Sequence, residues 1–349
     1  MRVSESWYGF PPVQYIYANR RFKGVVVDPP DFQPGSWTGA GKVVYDSERD
    51  EWLLTARPRS AGEGVRGYAA EVYRSEDGEV FELLISLSKE RVSEISEMDI
   101  YSIEGTQLLR SPLSGQWHLY VSVDTGSEFI WGGLYWQTLL LTASKLEGPW
   151  SSEGIVIENG GTYDTYQARD ATIDIVDGQW LCLYKAMDGN KTKRPALAIS
   201  GDGIHWRKEG VLTVEGDDYH GFFSGTIFAG SGGPLFVGLE TPQEEDLSVR
   251  DDVYEDEVQI PHGGGSVSSF AAYRLDRRNR NLELVFRTPW EPGTKYEHKE
   301  HPLLGYSSLA YDPKENRVLM YLEAIDGELT ERMGLNGTVE RVLVYESRL

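Results

Sequence analysis

The chain has 349 residues, 40% of them hydrophobic and 12% aromatic, with 38 glycines, one cysteine and a formal net charge of −21. Such a charge repels polyphosphates and anionic bilayers, so neither nucleic acid nor a membrane surface is expected as a partner. The lone Cys182 excludes a disulfide framework and reads as a buried, inert thiol; no stretch is apolar enough for a membrane span, and the opening MRVSESWYGF lacks the core of a signal peptide, which points to a cytoplasmic protein.

In chain order, residues 13–17 alternate like a strand and are expected to pair with the C-terminal part of the chain, removing an open edge. Asp28 follows in a Val-Asp-Pro-Pro turn, and then one pattern is written five times: GAGKVVYDSERDEWLLTAR from Gly39, EGTQLLRSPLSGQWHLYVS from Glu104, RDATIDIVDGQWLCLYK from Arg169, FSGTIFAGSGGPLFVGLE from Phe223 and GYSSLAYDPKENRVLMYLE from Gly305. Each is an apolar strand, a turn and a second strand, the latter opening at Trp52, Trp117, Trp180, Leu235 and Val318, at intervals of 55 to 83 residues. A lone hairpin cannot bury its apolar face, so such repeats stack around an axis. The expected fold is all-β, a single five-bladed β-propeller over residues 1–349, with blades near 25–90, 100–150, 160–210, 220–285 and 300–349. No helical period of useful length competes.

Ser75-Glu76-Asp77-Gly78 and Ser200-Gly201-Asp202-Gly203, each followed by an aromatic residue (Phe81, Trp206), are expected to be structural turns, with Asp capping backbone amides and Gly at positive φ. Residues 244–257 carry eight acids and read as a solvated loop. Glycosylation sequons at Asn190 and Asn336 carry no weight without evidence of secretion.

In a propeller the starts of the innermost strands project into an axial funnel. Aligned on their first apolar position, the copies place Asp170 in a slot held elsewhere by Ala40, Gly105, Ser224 and Tyr306, with Glu104 one residue ahead of it. An acid at a crowded axis is costly unless paired or hydrated, so Glu104 and Asp170 lead the catalytic candidates; pairing of Asp170 with Arg169 is the structural alternative. Five residues past the markers stand Arg57, Ser122, Lys185, Glu240 and Glu323, either a polar collar for a ligand or ordinary charged strand ends. Loops before the inner strands add Tyr163, Asp164 and Tyr166, then Asp217, Asp218 and His220. Rings beside acids suit a sugar, whose C–H faces stack while its hydroxyls bond, and they suit packing between blades equally well. Trp37 joins the sugar-binding candidates and Asp28 the acids.

Ile103-Glu104-Gly105-Thr106 with the following GQWHLYVS is similar to a segment of glycoside hydrolase family 43 whose Glu is the general acid, and Arg169-Asp170-Ala171-Thr172 resembles that group's Arg-Asp-Pro segment, whose Asp orients substrate and tunes the acid. Thr106 and Ala171 stand where proline is usual, and Gly39-Ala40 where the group has an acid. Glu104-Gly105-Thr106-Gln107 also resembles the Glu-Asp-Pro-Arg segment of family 130, with Gly105 replacing the Asp. The whole chain resembles the five-bladed propeller glycosidases, the group of families 43, 32, 62, 68, 117 and 130. The resemblance implies a glycoside hydrolase that takes a glycoside or oligosaccharide in its funnel. Glu104 is expected to be the acid, its pKa raised by partial burial and nearby negative charge; Asp170 holds hydroxyls or modulates that acid, and Asp28, Asp164 or Glu240 is the base. Arg57, Arg169, Lys185, Tyr163, Tyr166, His220, Trp37 and Glu323 would contact substrate. Phosphate held by Arg57 and Lys185 would make the enzyme a phosphorylase, and a non-catalytic sugar-binding propeller is the alternative from another class. No paired His spacing marks a metal site, so no cofactor is expected, and a structural calcium held by oxygens is the one metal left open.

Overall fold

A computed structural model describes residues 12–33, 35–60, 66–126, 135–243, 268–298, 304–329 and 339–349. The acidic run at 244–257 and the sequon at Asn336 lie outside the described residues. Helix α1 (Val13–Ala18) is followed by β1 (Arg21–Val27), β2 (Trp37–Gly39), β3 (Val43–Asp46), β4 (Glu51–Arg59), β5 (Ala69–Ser75), β6 (Glu82–Ser88), helix α2 (Lys89–Ser96), β7 (Ser102–Arg110), β8 (Trp117–Asp124), β9 (Trp136–Ala143) and β10 (Ser151–Ile157). Then come β11 (Gln167–Val176), β12 (Gln179–Met187), β13 (Lys193–Ser200), β14 (Trp206–Val211), the short β15 (Thr213–Val214) and β16 (Asp217–Asp218), β17 (Gly221–Gly230), β18 (Gly233–Pro242), β19 (Ser269–Asp276), β20 (Asn281–Pro289), β21 (Leu304–Asp312), β22 (Arg317–Ile325) and β23 (Glu340–Arg348). The protein is all-β, its long strands pairing antiparallel with their sequence neighbours in five groups: β2/β3 to β6, β7 to β10, β11 to β14, β17 to β20, and β21 to β23 with β1.

The last group joins the two ends of the chain, β1 pairing with β23 from Arg21 opposite Glu346 to Val27 opposite Val342. Residues 13–17, expected to be the closing strand, form α1 instead. Val13, Ile16 and Tyr17 are buried while Tyr15 is exposed, the spacing of one helix face rather than of a pleat, and the three pack into the apolar cluster of Phe270 and Trp290. Helix α2 is likewise unannounced by the sequence pattern; Ser88 caps it by accepting from the Arg91 amide at 3.2 Å, and Val92 anchors it.

The apolar side chains fall into five clusters, each shared by two groups: first with second around Trp117, second with third around Trp180, third with fourth around Phe223, fourth with fifth around Trp290, and fifth with first around Trp52. The tryptophans that open β4, β8 and β12 are at most 2% exposed, so the repeated Trp is an inter-group wedge whose truncation would cost about 3–5 kcal/mol. The Asp-Gly turns behave as expected. Asp77 Oδ1 accepts from Glu79 and Val80 at 2.8 and 2.9 Å, Asp202 Oδ1 accepts from Ile204 and His205 at 2.8 Å each, and Gly78 and Gly203 hold φ of 74° and 79°. Each turn is then stapled by a neighbouring group, Tyr321 donating to the Gly78 carbonyl and Tyr120 to the Gly203 carbonyl, both at 2.6 Å.

The inner strands meet around one cavity, lined by Val43 of β3, Gln107 of β7, Asp174 of β11, Thr226 of β17 and Ser308 of β21. Polar side chains clasp each inner strand to the next. Gln107 accepts from the Ile173 amide (2.7 Å), Asp174 from Ile227 (2.8 Å), Thr226 from Leu309 (2.9 Å) and Ser308 from Val43 (3.1 Å), while the Thr106 amide donates to the Ala40 carbonyl (2.7 Å). Lys42 is buried among these strands, its Nζ donating to Ser224 Oγ, the Gly225 carbonyl and the Ser307 carbonyl at 2.8–3.1 Å.

Candidate functional site

At one end of the inner strands regular pairing breaks down. Register shifts between Ile103 and Thr106, Arg169 and Thr172, and Leu304 and Ser307 place β-bulges at Glu104-Gly105, Asp170-Ala171 and Gly305-Tyr306, and the first inner strand is split at Ala40 between β2 and β3. Ala40 and Asp170 both hold φ of 55°. An extra residue re-aims the side chains beside it, and here the bulges bring Glu104, Asp170 and Tyr306 into mutual electrostatic contact. Glycine makes the approach feasible. A Cβ on Gly105 would lie 2.9 Å from Asp170 Oδ1, and one on Gly39 would lie 2.1 Å from Glu323 Cδ. The copies that lack an acid at these slots thus leave room for an acid from another strand.

Glu104, 4% exposed, bonds Arg57 Nη2 through one oxygen and Arg59 Nη2 through the other, with Arg169 Nη1 at 3.9 Å. Asp170 is paired with Lys185 Nζ through Oδ2, has Arg169 Nε at 3.6 Å, and its amide donates to Ser122 Oγ at 2.9 Å. Glu323 accepts from the Ala40 amide at 2.6 Å and lies 3.6 Å from Arg57. Trp37 and Trp136 lie under the guanidinium groups of Arg59 and Arg169, at 4.9 and 4.5 Å, and Phe222 under Lys185 at 4.7 Å. Glu340 opens β23 opposite Trp37 and hydrogen-bonds Glu323.

These contacts shift the acids in opposite directions. Burial by itself would raise Glu104, but Arg57, Arg59 and Arg169 hold it below the usual carboxylate range; burial likewise opposes ionisation of Asp170, and Arg169 and Lys185 overcome it. The expectation of a raised Glu104 pKa is therefore corrected: cations, not carboxylates, touch its oxygens. Glu340 goes the other way, pushed well above its ordinary value by burial and then by the Glu323 carboxylate. Burial and the nearby acids also keep the Tyr306 phenol protonated.

Of the other candidates read from the sequence, Arg57, Arg169, Lys185, Glu323 and Trp37 join this cluster, as does Ser122. Glu240, their counterpart on β18, does not; it is buried under Tyr273, which donates to it at 2.6 Å, with Arg287 at 3.4 Å. Asp164 is fully buried and taken up by the Gly161 amide (2.8 Å), Tyr184 (3.1 Å) and Lys208 (2.7 Å). Tyr163, next to Asp164, lies 3.5 Å from Tyr184 of β12, and Tyr166 packs edge-on against Tyr135. Asp28 is half exposed and pairs with Arg341 at 2.9 Å, and His220 sits at the surface beside Asp218 at 3.3 Å. None of these contacts reaches Glu104 or Asp170. Sequence reasoning misses Arg59, Trp136, Tyr306 and Glu340 as site residues. Arg59 is within its reach, being two residues past Arg57 and so on the same strand face. Among the described residues no group of three or more His, Cys, Asp or Glu is placed to hold a metal ion.

No family model and no curated protein matches the chain. Solved structures do. A glycosyl hydrolase from Bacteroides ovatus aligns at TM-score 0.57 and 12% identity, covering 93% of this chain and 94% of its own. Sucrose-6-phosphate hydrolase from Lactobacillus gasseri aligns at TM-score 0.60 and 11% identity over 91% of this chain and 60% of its own. A β-1,2-mannobiose phosphorylase from Listeria innocua, solved with β-1,2-mannobiose, aligns at TM-score 0.55 and 13% identity over 98% of this chain and 94% of its own. The chain therefore shares the all-β fold of propeller-type glycoside hydrolases and phosphorylases.

Proposed function

We propose that the five strand groups are blades of a five-bladed propeller and that the chain is a glycoside hydrolase acting on a carbohydrate at the cluster around Glu104 and Asp170. The five shared apolar clusters and the circuit of inner-strand clasps support the blade count. One observation carries the functional reading: buried carboxyl groups cluster with cations beside two tryptophans, and their surroundings push them in opposite directions, Glu104 down and Glu340 up. Glycoside cleavage needs one carboxylic acid that protonates the departing oxygen and one carboxylate that activates water or attacks the anomeric carbon. Groups whose surroundings push their pKa values apart divide those roles. Glu340, pushed above the ordinary carboxylate range by burial and by Glu323, serves as the acid, with Glu323 taking up charge beside it. Glu104 and Asp170 are the ionised members: one serves the anomeric carbon and the other the hydroxyls, while Arg57, Arg59 and Lys185 fix both carboxylates in place.

The test is a panel of aryl furanosides and pyranosides run with and without inorganic phosphate. Turnover of at least one glycoside is expected, with loss of about 10²–10⁴-fold in Glu340→Gln for poor leaving groups and far less for a strongly acidic phenol, which departs without help. A non-catalytic sugar-binding reading is favoured by one observation, that Glu104 and Asp170 both end in ion pairs. Sugar binding without turnover across the panel would establish that reading instead.

A further inference from the structure

The cluster around Glu104 gathers four cationic side chains in a chain whose net charge is −21. Arg57, Arg59, Arg169 and Lys185 face Glu104, Asp170, Glu323 and Glu340. Burial and the Glu323 carboxylate push Glu340 well above its ordinary value, so of the four acids it is the least ready to carry charge against these cations. Two guanidinium groups also hold buried nitrogens without an acceptor: Nε and Nη1 of Arg57, a residue 1% exposed, and Nε of Arg59, 5% exposed. A buried donor left unsatisfied costs about 1–3 kcal/mol. Guanidinium forks match the paired oxygens of carboxylate and phosphate, and the Trp37 and Trp136 rings fix the planes of Arg59 and Arg169. General basicity does not account for four clustered cations in an acidic protein, and an oxyanion would take up the guanidinium nitrogens that lack an acceptor.

We infer that this cluster binds an oxyanion together with the sugar, a carboxylate or phosphate group taken up by Arg57, Arg59 and Arg169. This rests on the carbohydrate reading of the same site, and the group is borne either by the sugar, as in a uronic acid, or by free inorganic phosphate. Calorimetric titration of the full chain separates these sources, with D-glucuronate and D-galacturonate compared against D-glucose and D-galactose, and inorganic phosphate run alone. Binding of a uronate at least about tenfold tighter than its neutral counterpart, weakened by added salt, places the oxyanion on the sugar. Phosphate binding alone, with uronates no better than neutral sugars, makes it a separate ligand. Where a uronate binds tighter, the readout is the ratio of uronate to neutral-sugar affinity, which Arg59→Gln should bring toward one whatever it does to sugar binding itself; Arg169→Gln, at a more exposed cation, makes the same test if that variant does not fold, and an unchanged ratio overturns the inference. Neutral sugars binding as tightly as uronates, with no phosphate binding, overturn the inference and leave the carbohydrate reading standing. Failure of every ligand to bind overturns both.

Discussion

Glu104 has a guanidinium on each oxygen, and that limits what it can do. Held ionised, it cannot give a proton near neutral pH, and neutralising it takes from Arg57 and Arg59 the carboxylate that both of them touch. Removing one partner of such a pair costs about 3–5 kcal/mol, so Glu104→Gln is expected to lower the unfolding free energy by that order and to abolish turnover, which chemical denaturation and the aryl-glycoside assay measure on one sample. Glu340 has the opposite sign. A carboxyl whose folded-state pKa lies above its unfolded value adds stability that is complete below the unfolded value and disappears as pH rises through the folded one. Relative to Glu340→Gln, wild-type protein should therefore lose stability on passing from acid toward alkaline pH. A thermal unfolding series across about pH 5–9 checks it, and parallel curves for the two proteins would contradict the assignment.

At the scale of strands and turns, what can be read from sequence is what local chemistry dictates. Asp77, Gly78, Asp202 and Gly203 announce their turns through side-chain capping and positive φ, and Trp52, Trp117 and Trp180 mark the second strands. Bulges are not visible in this way. A period-two count slips by one residue at Glu104, Asp170 and Tyr306, which is why the sequence presents Tyr306 only as the occupant of a slot and places Glu240 beside Arg57 and Lys185. β18 faces β17 with no bulge, and its Glu240 is turned to Tyr273 instead. Residues 13–17 mislead because five residues satisfy strand alternation and a helical face at once, and packing on Phe270 and Trp290 decides for the helix. Glu340 has no local signal, since its role depends on Glu323, which arrives from the neighbouring strand β22. Two substitutions test this layer. Gly39→Ala would drive a methyl into the Glu323 carboxylate and should cut turnover while secondary structure persists, as read by assay and circular dichroism. Tyr120→Phe should cost about 0.5–1.5 kcal/mol by removing the staple on Gly203, with turnover unchanged.

For the whole molecule, the five shared apolar clusters and the circuit of clasps around the inner strands make each group depend on two neighbours, and β1 on β23 ties the ends of the chain together. Lys42 lies inside that circuit with three oxygen acceptors but no carboxylate among its hydrogen-bond partners, and burial lowers its pKa to about 7 against the pull of Asp174 and Asp170. The unfolded chain thus binds this proton more tightly, at about 10.4, than the folded one does, so the lysine makes stability rise with pH between the two values. Lys42→Met should lose that rise: denaturation at about pH 7 and pH 9 is expected to show wild type gaining on the variant at the higher pH. The repeat is legible in the sequence, because apolar strands and Trp wedges recur along the chain; the strand that joins the chain ends is not, being β1 rather than residues 13–17, and neither is the direction of each acid's shift, because it depends on groups from other strands. Crystals soaked with the sugar of the best aryl glycoside test the central claim most directly. The expected result is a sugar ring beside Trp37 and Trp136, with hydroxyls in hydrogen-bond reach of Glu104 and Asp170. A sugar seated instead at the opposite end of the inner strands, against Gln107, Asp174 and Thr226, would contradict it.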